Sequence, residues 1–142
     1  MLQRKKQMDK LTWSDSYSVN NKVIDDEHRT LLSIISRMEK LVEDGGDSLT
    51  MSTLLTEMSD YAIKHFRSEE QYMQSISYPK VDEHRELHST YSIQVLKFTL
   101  NHLSENPNRP AEVLEFLKDW WTAHIVDVDS DYALYARTSA SD

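Results

Sequence analysis

The sequence predicts an all-α fold, an antiparallel up-down-up-down four-helix bundle with an N-terminal arm. Two glycines and three prolines in 142 residues are too few for the many tight turns of an all-β protein. Apolar residues recur at spacings of three and four along four segments, as the buried face of an amphipathic helix requires. Short connections between helices of about 20 to 27 residues favour antiparallel neighbours, which gives the bundle.

Three joints divide the chain into these helices. Gly45 and Gly46 end the first helix, because glycine readily takes the left-handed conformation found after helix ends. Pro79 closes the second joint and Pro110 the third, and each suits the first turn of the helix that follows. The stripes predicted for the core are Ile24, Leu31, Ile35, Met38 and Val42, then Leu54, Met58, Tyr61, Ala62, Phe66, Tyr72 and Met73, then Val81, Tyr91, Val95 and Phe98, and last Val113, Leu117, Trp120 and Val128.

A chain of this length suits one domain with one core. Trp13 and Tyr17 are among the few apolar residues of the arm and could pack on the bundle. The expected organisation is an arm at 1–20, the bundle at 21–137 and a tail at 138–142.

The composition excludes several classes of function. A formal net charge of -8 disfavours binding to nucleic acid or to an anionic membrane surface. No apolar run is long enough to insert into a membrane and no signal peptide is visible, so a cytoplasmic location is expected. The absence of cysteine excludes disulfides and thiolate sites, so nitrogen and oxygen atoms must hold any metal.

Polar residues interrupt the apolar stripes in all four predicted helices. A single core histidine is more often hydrogen-bonded to a neighbour than functional. Five histidines and a glutamate in phase with core positions need a shared reason, because burying such groups without partners costs free energy. The residues concerned are His28, His65, Glu69, His84, His88 and His124.

These residues converge on one level of the predicted bundle. They fall near the start of helices one and three and near the end of helices two and four, which lie together in an antiparallel bundle. Chance would scatter them along roughly 30 to 40 Å of helix. Two pairs are also four residues apart, His65 with Glu69 and His84 with His88, and therefore share a helix face.

The fourth helix offers two carboxylates after its histidine. Asp127 follows His124 by three residues and shares its face in a regular helix. Asp129 follows by five residues and would point roughly 140° away unless the helix is locally distorted. Helix geometry alone favours Asp127.

The complete pattern resembles that of the hemerythrin family, bacterial hemerythrins in particular, from about residue 11 to residue 135. The flanking sequences Ile24-Asp25-Asp26-Glu27-His28, Glu69-Glu70-Gln71-Tyr72-Met73 and Trp120-Trp121-Thr122-Ala123-His124-Ile125 are similar as well. The family places a carboxylate five residues after the last histidine, so the resemblance selects Asp129. It implies that His84, His88 and His124 bind one iron, that His28 and His65 bind the other, and that Glu69 and Asp129 bridge the two.

The resemblance also implies the cofactor and its ligand. Two iron ions (Fe²⁺/Fe³⁺) joined by an oxo or hydroxo bridge would leave one coordination position open, on the two-histidine iron, for reversible binding of dioxygen. A pair of zinc ions is a weaker alternative, because such sites seldom need five histidines. The chain lacks the two Glu-x-x-His motifs of ferritin-like di-iron enzymes. His102 lies far along the third helix and is expected to have no metal role.

Three biological uses follow from the resemblance. We favour a sensor of oxygen or redox state, because the segment Tyr132–Arg137 still has a helical pattern near the end of the sequence and could lead into a covalently fused signalling output domain, such as a diguanylate cyclase. The alternatives are a stand-alone protein for oxygen storage or delivery and an enzyme that reduces peroxide or nitric oxide. We expect the chain not to be an enzyme.

Overall fold

The computed structural model describes residues 11–105 and 107–140, and within these it contains helices and no β-strand. This confirms the predicted all-α class. A short 3₁₀ helix, Asp15–Tyr17, lies in the arm. The main helices are α1 (Lys22–Asp44), α2 (Ser48–Ser75), α3 (Val81–His102) and α4 (Pro110–Trp120), and α4 continues through a π-helical segment, Trp121–Val128, into α5 (Asp129–Ala140). The predicted arm and tail lie partly outside the described residues, and the domain boundaries stay predictions.

Local side-chain chemistry explains where the helices begin and end. The side chain of Asn21 accepts a hydrogen bond from the backbone N–H of Ile24 and caps α1. Gly45, with φ 78°, ends α1 in the left-handed region. Pro110 lies in the first turn of α4, as predicted. Pro79 does not lie in the first turn of α3: it precedes that helix, which begins at Val81.

The apolar core forms two clusters with a polar layer between them. In α1, His28 falls between Ile24 of the smaller cluster and Leu31 of the larger one. In α5, Asp129 falls between Ile125 of the larger cluster and Tyr132 of the smaller one. The polar residues therefore sit inside the bundle with apolar packing above and below, which keeps water away from them.

Two details of the predicted core are wrong. Val42 is 37% exposed, and Leu41, which follows Met38 by three residues, fills the core in its place. The apolar face of the fourth helix also shifts: Trp121 and Ile125 are buried while Val128 is only half-buried. The π-helical segment causes this shift, because its wider turn rotates all later residues relative to a regular helix.

The described part of the arm is attached to the bundle. Asp25 on α1 accepts hydrogen bonds from the backbone N–H of Val19 and the hydroxyl of Ser18. The guanidinium of Arg29 lies 4.1 Å above the ring of Trp13, a cation–π contact. Trp13 and Tyr17 pack against the larger core cluster, which confirms the predicted role of the arm aromatics.

Among the described residues, no helix is both long and apolar enough to cross a membrane.

Candidate metal centre

The polar layer contains all seven residues that the sequence singled out as ligands. Each is buried, with an exposed fraction of 3% or less. Helix α1 supplies one of them, α2 two, α3 two, the π-helical segment one and the first turn of α5 the last. They are His28, His65, Glu69, His84, His88, His124 and Asp129.

The seven side chains form two groups that share one carboxylate. The first group is Glu69 with His84, His88 and His124, and the second is Glu69 with His28, His65 and Asp129. In each group one nitrogen or oxygen atom per residue lies within 4.8 Å of the others, close enough to surround a single cation.

Glu69 faces both groups with different oxygen atoms. Its Oε1 lies 3.0 Å from Nε2 of His84 and 2.8 Å from Nε2 of His88. Its Oε2 lies 3.3 Å from Nε2 of His65 and 3.5 Å from Nε2 of His28. A carboxylate in this position can bridge two cations, one on each oxygen.

Asp129 has the same two-sided arrangement. Its Oδ1 lies 3.0 Å from Nε2 of His84 and 3.1 Å from Nε2 of His124. Its Oδ2 lies 3.1 Å from Nε2 of His28. Both carboxylates therefore stand between the two sets of imidazoles, in the positions that the resemblance gave them.

The π-helical segment explains why Asp129 and not Asp127 enters the site. In a π-helix each turn contains more residues than in an α-helix, and hydrogen bonds join residues five apart. His124 lies within this segment and Asp129 follows it directly, so a spacing of five puts both on the same face. Asp127 is exposed. The helix is therefore distorted at the point where Asp129 needs it to be in order to face the site.

Carboxylates outside the seven candidate ligands orient two of the histidines, and the sequence pattern did not predict this role. Nδ1–H of His65 donates to Oε1 of Glu27 at 2.9 Å, and the hydroxyl of Ser68 donates to Oε2 of the same glutamate at 2.9 Å. Nδ1–H of His88 donates to Oε2 of Glu70 at 2.8 Å. A carboxylate behind an imidazole fixes its tautomer and leaves Nε2 free to bind a metal.

Tyr132 holds Glu69, the carboxylate that the two groups share. Its hydroxyl donates to Oε2 of Glu69 at 2.8 Å, and its ring is fully buried. Glu27 and Glu70 could have been suspected, since each is next to a predicted ligand in the chain. Tyr132 follows the predicted ligand Asp129 by three residues, but that spacing does not predict its contact with Glu69, which lies in a different helix.

Aromatic rings hold the imidazoles in fixed planes. Phe66 stacks on His88 with ring centroids 3.8 Å apart and planes within 5°. Trp120 stacks on His124 at 4.0 Å and 10°. These contacts restrict ring rotation and so limit the movement of Nε2.

The electrostatics of the cluster favour positive charge on the histidines and negative charge on the carboxylates. Burial alone lowers the pKa of His28, but the carboxylates of Asp129 and Glu69 outweigh it and raise that pKa to about 9. His84 responds in the same way, and its pKa also rises to about 9. Burial alone raises the pKa of Glu69, but the surrounding histidines hold it well below its ordinary value.

Atoms without partners show that the cluster fits a metal better than it fits a hydrogen-bond network. Nε2 of His28, His65 and His124 and both carboxylate oxygens of Asp129 are buried and have no hydrogen-bond partner of acceptable geometry. Leaving buried polar groups without partners costs free energy of folding. Because they are nitrogen and oxygen donors directed at common points, cations placed there would satisfy all of them. That these seven residues bind metal stays a prediction; the structure establishes that they meet.

His102 lies away from the cluster, near the end of α3. Its Nε2 lies 3.1 Å from the backbone oxygen of Ser48, at the start of α2. It belongs to neither group of candidate ligands found among the described residues, and its lack of a metal role stays a prediction.

Comparison with known proteins gives consistent matches over most of the chain. A family model described as "Hemerythrin HHE cation binding domain" matches residues 19–135. A bacteriohemerythrin of Clostridium acetobutylicum is 29% identical over 126 residues, covering 84% of this chain and 96% of that protein. A myohemerythrin of Theromyzon tessulatum is 29% identical over 120 residues, covering 84% and 88%. A crystal structure of a hemerythrin mutant shares the fold, with a TM-score of 0.78, 23% identity and coverage of 89% and 95%.

Proposed function

Since the chain belongs to the hemerythrin HHE cation-binding family, we propose that its buried cluster holds two iron ions with an oxo or hydroxo bridge and binds dioxygen reversibly. The observation that carries the proposal is the shared use of Glu69 and Asp129 by two sets of histidines, three on one side and two on the other. Two separate groups of donor atoms that share carboxylates distinguish the arrangement from a single-metal site.

The ligand count explains where dioxygen would bind. Two octahedral ions need twelve ligand positions. The five histidines supply five, the two carboxylates four, and a single-atom bridge two. One position would stay open, on the ion that His28 and His65 would hold. An iron pair held there would supply the electrons that dioxygen takes up on binding and returns on release.

The protein itself orients the imidazoles and keeps water away from the cluster. Glu27 and Glu70 keep the imidazoles of His65 and His88 oriented through their Nδ1 atoms. The larger core cluster, which includes Leu31 and Ile125, excludes water from the layer. Water exclusion favours reversible binding, because it limits the supply of protons and nucleophiles to the bound gas.

We propose binding and not catalysis as the main activity. The two carboxylates that would bridge the metals are already committed to the cluster, and the packing around it is largely apolar. Leu31, Met58 and Ile125 are each no more than 2% exposed and belong to that apolar packing.

We further propose that dioxygen binding is used as a signal of oxygen or redox state, which could reach a fused output domain. The support is the position of Asp129 as the first residue of α5, while Tyr132 in the next turn binds Glu69. A shift of either carboxylate would therefore move α5. Amide hydrogen exchange in α5 should differ between the deoxygenated and oxygenated proteins. Equal exchange in both would favour storage or delivery.

Iron content combined with the ultraviolet-visible spectrum tests the main proposal. The protein should contain two irons per chain and show an oxo-bridged spectrum that disappears on anaerobic reduction and changes on exposure to air. His28→Ala and His65→Ala should leave a folded protein with one iron or none and without that spectrum. His102→Ala, the matched control, should keep both irons. A well-folded wild-type protein with only trace iron would end the proposal.

A further inference from the structure

Helix α3 has a second apolar stripe on the face turned away from the core. Its members recur at spacings of three, four and three, so they lie in one row that runs along the helix to Leu103, the residue directly after it. They are exposed by 55%, 57%, 58% and 79% of their surface, in chain order. This outer stripe is Ile93, Leu96, Leu100 and Leu103. A helix that is apolar on both faces is typical of burial on both faces, and the described bundle covers only one.

A groove runs beside the outer stripe, between α2 and α3. Its volume is about 370 Å³. The α2 side contributes small side chains, Ser52, Thr56 and Ser59, while Ile63, Leu96 and Leu103 form apolar edges. Small residues leave space between helices into which a ridge of larger side chains can pack. The same face therefore carries both a ridge, the outer stripe, and a groove that would accept such a ridge.

The face is nearly uncharged, although the whole chain carries a net charge of -8. Asp60 is the only Asp, Glu, Lys or Arg among the residues that line the groove. Lys97, which is exposed on α3 next to Leu96, has the opposite sign. Two copies of an acidic protein repel each other through most of their surfaces, and this face is one where the repulsion is small.

We propose that the α2–α3 face binds a second copy of this chain through a two-fold symmetric interface. The outer stripe of each copy would pack into the groove of the other, as self-complementary surfaces do in symmetric dimers. Ile63 and the outer stripe together expose an apolar patch on the order of several hundred Å², a size that marks interaction sites. The proposal does not depend on iron or dioxygen.

Sedimentation of the full-length protein across a range of concentrations tests this interface. The wild type should sediment as a dimer that dissociates on dilution. Leu100→Glu places a charge in the middle of the stripe and should raise the dissociation constant at least tenfold. Leu134→Glu, on α5, adds the same charge to a side chain that is 54% exposed and should have no effect. Both positions are at the surface, so circular dichroism should show a normal fold.

Cysteine cross-linking gives an independent measurement, because the chain has no native cysteine. A mixture of the Leu100→Cys and Thr56→Cys proteins, which pairs the stripe with the groove, should form disulfide-linked heterodimers under mild oxidation much faster than a mixture of Leu134→Cys and Thr56→Cys. A wild type that stays monomeric at every concentration would overturn the proposal. So would a dimer that Leu100→Glu leaves intact, since that dimer must use another face.

Discussion

The Oδ1 atom of Asp129 lies 3.1 Å from Nε2 of His124, although five residues separate them in the chain. A regular α-helix would turn these side chains away from each other. The π-helical segment Trp121–Val128 brings them together, and such segments often occur at functional sites. Because Asp129 also faces His28 and His84, this one local change in helix geometry completes the cluster.

Asp129→Asn should therefore damage the metal centre much more than Asp127→Asn. The first change removes a charge that faces three histidines, while Asp127 is exposed. We expect Asp129→Asn to weaken iron binding by more than the roughly 10–100-fold that loss of an outer partner costs. Asp127→Asn should change the free energy of unfolding by less than about 0.5 kcal/mol. Iron content after chelator challenge measures the first effect and urea unfolding the second. An Asp127→Asn protein that loses more iron than Asp129→Asn would contradict the assignment.

Glu27→Gln and Glu70→Gln should each weaken the binding of a different metal ion. Glu27 binds Nδ1 of His65 and Glu70 binds Nδ1 of His88, on opposite sides of the cluster. Each change should lower the affinity of the metal on its own side by roughly 10–100-fold. The effect of Glu27→Gln should be the larger, because the Glu27 side chain is 8% exposed and that of Glu70 is 26% exposed.

Stepwise removal of iron by a chelator, followed spectroscopically, separates the two losses. Asp26→Asn is the matched control for Glu27→Gln. Asp26 is next in the chain, but its carboxylate binds Lys22 and Arg29 at the surface. If the control releases iron as readily as Glu27→Gln, the orienting role is wrong.

Tyr132→Phe should destabilise the metal-free protein. The change removes a buried hydroxyl that donates to Oε2 of Glu69 at 2.8 Å, a hydrogen bond to a charged group. Such bonds contribute roughly 1.5–3 kcal/mol. Tyr135→Phe is the control, because its hydroxyl donates to the backbone oxygen of Ser77 at an exposed position. Urea unfolding of both variants measures the difference, and equal losses of stability would count against the buried bond.

The stability of the metal-free protein should fall as the pH rises from 6.5 to 9. His28 and His84 have pKa values of about 9 in the fold, against an ordinary value of 6.5. A raised pKa in the folded state stabilises the fold fully below pH 6.5, and this contribution is lost as the pH rises through 9. The iron-loaded protein should not lose stability in this window, because metal binding requires neutral histidines.

Thermal unfolding of the metal-free and iron-loaded proteins at pH 6.5 and 9 measures this effect. The difference in Tm between the two forms should widen at the higher pH. A metal-free protein whose Tm is constant or rises over the same interval would show that its cluster is not held by protons in place of metal.

Much of this protein followed from local patterns in its sequence. Apolar spacing predicted the helices, and the glycine at position 45 and Pro110 predicted two of the joints correctly. The common level of His28, His65 and His88 followed from counting residues from the helix ends, since the rise per residue is constant. Val42 was misplaced near the end of α1, where the apolar face falls on Leu41, and Val128 was misplaced because the π-helical segment shifts the apolar face.

Helix periodicity by itself determined which face each side chain occupies, but it selected Asp127 over Asp129, and only the resemblance to a family reversed that choice. The tertiary structure decided which atoms meet. The π-helical segment turns Asp129 inward, and Tyr132 reaches Glu69 across the bundle. The reason is physical: the face of a helix depends on neighbouring residues, whereas a change of hydrogen-bond spacing and a contact between helices depend on how the whole bundle packs.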